Sequence, residues 1–321
     1  MNKKNVAYLF PGQGAQYTGM AMDLLESAAV KKLFDTASEV FGKDVKEILN
    51  SDADTLKRTD VSQPAITVAN LAAAAYLGDK GYSPAACAGF SLGEYAALVY
   101  AGVLSDVDCL RLIKARGEAM QKASDKIREA AGGDPAAAPG MAAVVGLEPK
   151  QVEELITKWK GEGLADLYAA NINSPKQLVV AGTAAALTEA ESKFKEAGAK
   201  RVIRLQVAGP FHSPLMTPAL EYFTPVLESV TFKDPSITVF SNVTGKKISS
   251  GDEAKKLAVQ QITCPVRWVD EEASAASSGI EACLEVGPGK VLQGLWKDSG
   301  SELPVFAAGT AEDIRLVQEL G

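Results

Sequence analysis

The sequence predicts an α/β fold: a mostly parallel, hydrolase-like sheet with an inserted ferredoxin-like unit. Three observations carry that expectation. Short apolar runs alternate with longer helical patterns from the N-terminus onward, the rhythm of strands and helices around a parallel sheet. A Gly-x-Ser-x-Gly pentapeptide, Gly89-Phe90-Ser91-Leu92-Gly93, stands where one apolar run meets a helical pattern. Between Met141 and Val207 the elements follow the order βαββαβ, that of a split βαβ unit.

Taken in order, Val6-Ala7-Tyr8-Leu9-Phe10 is too short for the core of a signal peptide and reads as a first strand before Pro11-Gly12. Ala65 to Leu77 is helical. Pro84 to Ala88 is strand-like and leads into the pentapeptide, and Glu94 to Val99 and Asp106 to Lys126 read as helices. The small-residue stretch Ala130 to Gly140 reads as a linker or loop. Beyond it, Met141 to Leu147 reads as a strand and Pro149 to Lys160 as a helix opened by its proline. Leu164 to Ala170 and Gln177 to Ala181 are two strands joined through Asn171-Ile172-Asn173-Ser174-Pro175. Ala184 to Ala197 is a helix stopped by Gly198, and Arg201 to Val207 a last strand. This gives a core domain of residues 1–138 and 208–321, interrupted by a subdomain of residues 139–207, with a cleft between them. The final third adds strands at Thr238 to Phe240 and Cys283 to Val286, and helices at Asp252 to Gln261 and Val291 to Lys297.

With 321 residues and a formal net charge of −7, the chain has room for more than one domain and lacks the basic surface of a nucleic-acid binder. No stretch approaches a membrane span. The four cysteines are scattered without a Cys-x-x-Cys pair, which argues against metal and disulfides and for reduced thiols in the cytoplasm.

Serine is a weak nucleophile until a base takes its proton, and histidine is the usual base. The chain has one histidine, His212, so a Ser91 that uses histidine has no other partner. The order Ser91 then His212 is that of serine enzymes built on a strand-turn-helix elbow. An oxyanion hole needs two N–H donors. Leu92, just after the serine, supplies one, and the glycine-rich loop Phe10-Pro11-Gly12-Gln13-Gly14 after the first strand is a candidate for the other. That loop fails the dinucleotide fingerprint, since Tyr17 stands where a third glycine is required, and it lacks a phosphate-loop Lys-Ser/Thr. Gly287-Pro288-Gly289-Lys290 has the wrong spacing for a phosphate loop and reads as a strand-helix turn. Arg116, beside Gly117, offers a fork suited to a carboxylate, whereas Arg111 and Lys114 read as a solvated helix face.

Together these segments resemble the malonyl-CoA:acyl carrier protein transacylases and the related acyltransferase domains of fatty-acid and polyketide synthases. The resemblance runs nearly end to end. It rests on Phe10 to Gly14, Gly89 to Tyr95, Arg116-Gly117, Gly140 to Val144, Asn171-x-Asn173-Ser174-Pro175, Phe211-His212 and Glu285 to Gly289. It implies that Ser91 carries the malonyl group as an ester and that His212 is its base and then the acid for the leaving thiol. It implies that the Gln13 and Leu92 amides form the oxyanion hole and that Arg116 pairs with the malonyl carboxylate. Gln261, Asn173 and Phe211 join Arg116 among the substrate-binding residues. In this family a backbone carbonyl near a Gln-x-x-x-Pro segment orients the histidine, and Gln261-Ile262-Thr263-Cys264-Pro265 is similar to it.

The implied reaction is a ping-pong transfer from malonyl-CoA to the pantetheine thiol of acyl carrier protein, without cofactor or metal, supplying extender units for fatty-acid synthesis. A trans-acting polyketide acyltransferase and a serine thioesterase or hydrolase are the alternatives. The carrier is expected to be acidic, which makes Arg111, Lys114, Lys193, Lys195, Lys200 and Arg201 candidates for its docking surface. Nothing demands more than a monomer. Phe90 departs from the family, many of whose members carry histidine before the serine. Phe211 is similar to malonyl-selective members, because bulk there disfavours a methyl branch.

Overall fold

Val6–Phe10 forms strand β1, and all five of its residues are buried. A strand enclosed on both faces belongs at the centre of a parallel sheet covered by helices. In the computed structural model, which describes residues 1–134 and 137–320, that is where it lies. Pro135 and Ala136 of the expected linker, and Gly321, lie outside the described residues. The chain continues through α1 (Ala28–Phe41), α2 (Val45–Leu49), α3 (Thr59–Asp79), β2 (Pro84–Gly89), α4 (Gly93–Tyr100) and α5 (Asp106–Ala130). Next come β3 (Gly140–Val145), α6 (Pro149–Gly161), β4 (Leu167–Ser174), β5 (Gln177–Gly182), α7 (Ala184–Glu196) and β6 (Arg201–Arg204). The last third holds α8 (Thr217–Glu228), β7 (Thr238–Val239), α9 (Gly251–Gln260), α10 (Trp268–Ala276), β8 (Ala282–Glu285), α11 (Val291–Ser299), β9 (Val305–Ala307) and α12 (Ala311–Glu319).

The larger sheet runs β7-β2-β1-β8-β9, and every pairing in it is parallel. Alternation along β1 sends Val6, Tyr8 and Phe10 into the main core and Ala7 and Leu9 into a second cluster with Trp268 and Trp296. The smaller sheet is antiparallel, in the order β4-β5-β3-β6, with α6 and α7 packed on it through a cluster that includes Trp159 and Phe194. Its element order is the expected βαββαβ.

Local boundaries differ in informative ways. The connection expected over 171–175 is mostly strand: β4 continues through Ser174, which pairs with Gln177 across a tight Pro175-Lys176 turn. The expected start at Leu164 is still the end of the α6 turn, where the Leu164 N–H donates to the Trp159 carbonyl. β6 stops at Arg204, and the residues after it leave the sheet to line a pocket. Helices α1, α2, α8, α10 and α12 and strand β9 were not anticipated. α1 nevertheless carries legible signals: Ser27 accepts the Val30 N–H at its start, and Gly42 ends it with φ 68°.

One seam joins the two sheets near the site. Val266 donates to the Ala170 carbonyl and accepts from the Ile172 N–H, at 2.9 and 2.8 Å, so β4 of the small sheet is laced to the segment just after Gln261.

Candidate active site

The Ser91 turn is a product of close backbone contact. A Cβ on Gly89 would lie 2.1 Å from the Gly93 carbonyl carbon, and one on Gly93 would lie 2.1 Å from the Phe10 carbonyl oxygen. Only glycine fits on either side, and between them Ser91 takes φ 52°. Left-handed backbone at a non-glycine residue costs about 1–3 kcal/mol and is held by its surroundings. His212 is left-handed as well, at φ 56°.

Ser91 Oγ and His212 Nε2 are 2.8 Å apart, and His212 Nδ1 is 2.8 Å from the Gln261 carbonyl oxygen. A carbonyl can only accept, so Nδ1 carries the proton and Nε2 presents its lone pair to the serine hydroxyl. Burial, with the Arg116 charge adding to it, pushes His212 down to about 4, which keeps the ring neutral and basic at neutral pH. Among the described residues, neither the Leu92 N–H nor the Gln13 N–H donates to a protein acceptor, and both lie beside the serine turn. Two unpaired donors there suit a developing oxyanion.

Arg116 is fully buried on α5. It donates from Nη1 to Gln63 Oε1 at 2.8 Å and from Nη2 to Gln261 Oε1 at 3.1 Å, and Nη2 lies 3.4 Å from Ser91 Oγ. Among the described residues it makes no salt bridge. Burial pushes its guanidinium below the usual arginine range. Burying a charge without an ionic partner costs several kcal/mol, so the site suits an anion next to Ser91.

These groups open on a cavity of 290 Å³ lined by Gln13, Gln63, Phe90, Ser91, Met120, Met141, Asn171, Asn173, Val179, Phe211 and His212, among others. A neighbouring cavity of 520 Å³ shares Met141, Leu205 and Val207 with it but touches neither Ser91 nor His212. Asn173 gives its amide N–H to Gln177 Oε1 at 3.0 Å, while its Oδ1 is buried with no partner among the described residues. The structure thus brings Ser91, His212, Gln13, Leu92, Arg116, Gln261, Asn173 and Phe211 to one place.

The six basic residues expected to meet the carrier are not gathered there. None lines the pocket; Lys57 does. Lys114 reaches the Phe41 carbonyl, Lys193 pairs with Glu162 and Glu189, and Lys195 pairs with Glu191. Gln63 and Met120 were missed as well, although a glutamine inside the apolar pattern of α3 was a visible signal. The Gly287-Pro288-Gly289 turn is structural, as read: Glu285 takes the Leu292 and Gln293 N–H groups at 2.9 and 2.8 Å, which occupies the start of α11. No helix among the described residues is long and apolar enough to cross a membrane, no group of three or more His, Cys, Asp or Glu could hold a metal, and all four cysteines are free.

Residues 7–318 match the family model described as acyl transferase domain. The chain is 38% identical over 313 residues to the malonyl CoA-acyl carrier protein transacylase of Bacillus subtilis, covering 97% of this chain and 95% of that one. This chain belongs to the malonyl-CoA:acyl carrier protein transacylase family. It is an acyltransferase. Solved members agree over their whole length. An acyl carrier protein S-malonyltransferase from Vibrio cholerae has a TM-score of 0.87 at 36% identity, covering 98% of this chain and 100% of that chain. The transacylase from Clostridium perfringens has a TM-score of 0.89 at 32% identity, covering 98% and 96%. The transacylase architecture is the one seen here: a parallel core sheet with an antiparallel subdomain.

Proposed function

We propose that this transacylase works through Ser91, His212 and Arg116, each in the role its surroundings suit. The activity is transfer of a malonyl group from malonyl-CoA to the pantetheine thiol of acyl carrier protein, which supplies extender units for fatty-acid synthesis. Ser91 Oγ attacks the thioester carbon while His212 Nε2 takes its proton. The oxygen of the tetrahedral intermediate is held by the Gln13 and Leu92 N–H groups. Collapse breaks the carbon–sulfur bond, His212 returns the proton to the CoA sulfur, and malonyl-Ser91 remains. The carrier thiol then gives its proton to His212 and attacks the ester, and Ser91 Oγ recovers the proton as it leaves. No cofactor enters the cycle.

The observation that carries this reading is one oxygen with two neighbours. Ser91 Oγ has a neutral base at 2.8 Å and a buried, ion-unpaired guanidinium at 3.4 Å. The malonyl carboxylate supplies the charge Arg116 lacks, and its fork holds the acyl group against the serine. Phe211, buried at the pocket wall, limits the room for a branched acyl group.

Residues 1–138 and 208–321 act as the body bearing nucleophile and base, with 139–207 as the inserted wall; the separate apolar cluster inside the insert supports that division. The nucleophile, the base and the arginine come from one chain, so a monomer suffices, and four free thiols suit the cytoplasm. The test is intact mass spectrometry. A malonyl adduct on mixing with malonyl-CoA, transferred when carrier protein bearing its pantetheine arm is added, is expected. CoA released steadily without an acceptor, and no persisting adduct, would overturn transfer in favour of hydrolysis.

A further inference from the structure

Behind Arg116 lies a chain of buried amides whose directions are dictated from both ends. Gln261 Oε1 faces Arg116, and Gln261 Nε2 donates to the Ser91 carbonyl at 3.0 Å and to Asn242 Oδ1 at 3.2 Å. Asn242 in turn donates from Nδ2 to the Gly89 carbonyl at 2.6 Å and to Glu271 Oε1 at 2.7 Å, and its backbone N–H donates to Glu94 Oε2 at 2.7 Å. Gly89 and Ser91 carbonyls can only accept and a guanidinium can only donate, so neither amide can be turned over without setting like against like. Asn242, Gln261, Glu94 and Glu271 are all at most 1% exposed, so water cannot repair a wrong orientation.

We infer that Asn242 is a positioning residue for the carboxylate clamp: its side-chain oxygen holds the Gln261 amide so that an acceptor, not a donor, faces Arg116. The inference rests on the reading of Arg116 as the malonyl partner. When a carboxylate takes the Arg116 Nη2 hydrogen that faces Ser91 Oγ, Gln261 Oε1 keeps the other, and the amide must hold that direction through the contacts of Nε2. The Ser91 carbonyl is already shared with the Glu94 N–H at 3.1 Å, and the Glu94 carboxylate is shared with the Asn242 N–H, whereas Asn242 Oδ1 takes its hydrogen bond from Gln261 alone. Because the Gln261 backbone carbonyl also orients His212, one residue couples the clamp to the base.

The two edges of Asn242 separate this role from simple scaffolding. Its donor edge ties the end of β2 to α10, whereas its acceptor edge serves Gln261. Asn242→Leu removes both edges; Asn242→Asp keeps the acceptor for Gln261 but sets an oxygen against the Gly89 carbonyl and Glu271, so it costs stability without turning the Gln261 amide. The experiment compares acyl-enzyme formation from malonyl-CoA and acetyl-CoA by intact mass spectrometry, with thermal unfolding measured alongside and Arg116→Ala as reference. Asn242→Leu is expected to lower the malonyl-to-acetyl rate ratio about tenfold, the worth of a charge-assisted hydrogen bond. Asn242→Asp is expected to hold the ratio within about threefold of the native value.

Equal losses of the ratio in the two Asn242 variants, or an unchanged ratio in Asn242→Leu, overturn the positioning role while leaving the Arg116 reading intact. If Asn242→Leu does not fold, Asn242→Asp decides alone: a ratio reduced as far as in Arg116→Ala overturns the role, and a retained ratio supports it. No malonyl-specific loss in Arg116→Ala overturns the clamp itself, and the positioning role with it.

Discussion

The serine turn and the histidine loop each hold a reactive residue in left-handed backbone, Ser91 at φ 52° and His212 at φ 56°, but by different means. The serine turn is locked by backbone meeting backbone: Gly89 against Gly93, and Gly93 against the Phe10 carbonyl. In the histidine loop the nearest atom to a Cβ on Gly209 is a side-chain oxygen, Ser124 Oγ at 2.4 Å, and His212 is aimed by one hydrogen bond to the Gln261 carbonyl. A geometry made by backbone contact leaves a mark in sequence, because only glycine satisfies it. A geometry made by side chains and distant carbonyls leaves none.

Five predictions test that contrast, in descending size. Ser91→Ala removes the attacking oxygen and should lower malonyl transfer about 10⁴-fold or more; a retained malonyl adduct by mass would refute the nucleophile. Arg116→Ala should lower malonyl acylation about 10²- to 10³-fold, the scale of a broken buried charge pair, while acetyl acylation is spared; equal losses for the two acyl groups would sink the carboxylate role.

Next come the two loops. Gly93→Ala should destabilise the protein by about 3 kcal/mol or more, and Gly209→Ala by about 1 kcal/mol, because a serine side chain can turn aside and a backbone carbonyl cannot. Denaturant unfolding of both variants measures the difference, and equal destabilisation would show that the two loops are held alike. The histidine loop has a pH signature of its own. With His212 pushed down to about 4, the base is neutral above that pH and protonated below it, so kcat/KM for acylation should fall only as pH drops through about 4. A fall centred near the ordinary histidine value would mean that the ring is solvated.

The smallest effect belongs to Phe90→His. The Phe90 ring meets Trp268 edge-on at 5.5 Å, and neither hydrogen bond of His212 involves it. The change should cost about 1 kcal/mol of stability and alter transfer by less than about threefold. A larger change in rate would assign the residue before the serine a chemical task.

Much of the fold was legible for a physical reason. Strands buried on both faces, such as Val6–Phe10, are continuous apolar runs, and α5 opens on Ser105 capping the Asp108 N–H. Two of the unexpected elements are weak in pattern, unlike α1: β9 has three residues, and α10 carries two buried glutamates, Glu271 and Glu272, which burial pushes up and which read as surface charge in a sequence. The end of β4 reads as a connection in sequence because Asn171-Ile172-Asn173-Ser174-Pro175 has the composition of a turn. Pairing with β5, and the lacing of Ala170 and Ile172 to Val266, keep it extended.

The sequence by itself singled out Ser91, His212 and the turn that presents the serine as candidates, because a pentapeptide with two obligatory glycines and a solitary histidine admit few other pairings. The resemblance to the transacylases added Gln13, Gln261, Asn173 and Phe211. Tertiary structure alone decided how Arg116 is aimed. Its partners Gln63 and Gln261, and the Asn242, Glu94 and Glu271 groups behind them, come from α3, the end of α9, the segment after β7, α4 and α10. A hydrogen-bond direction depends on which acceptors the folded chain sets at each end of an amide. No local pattern of residues records that.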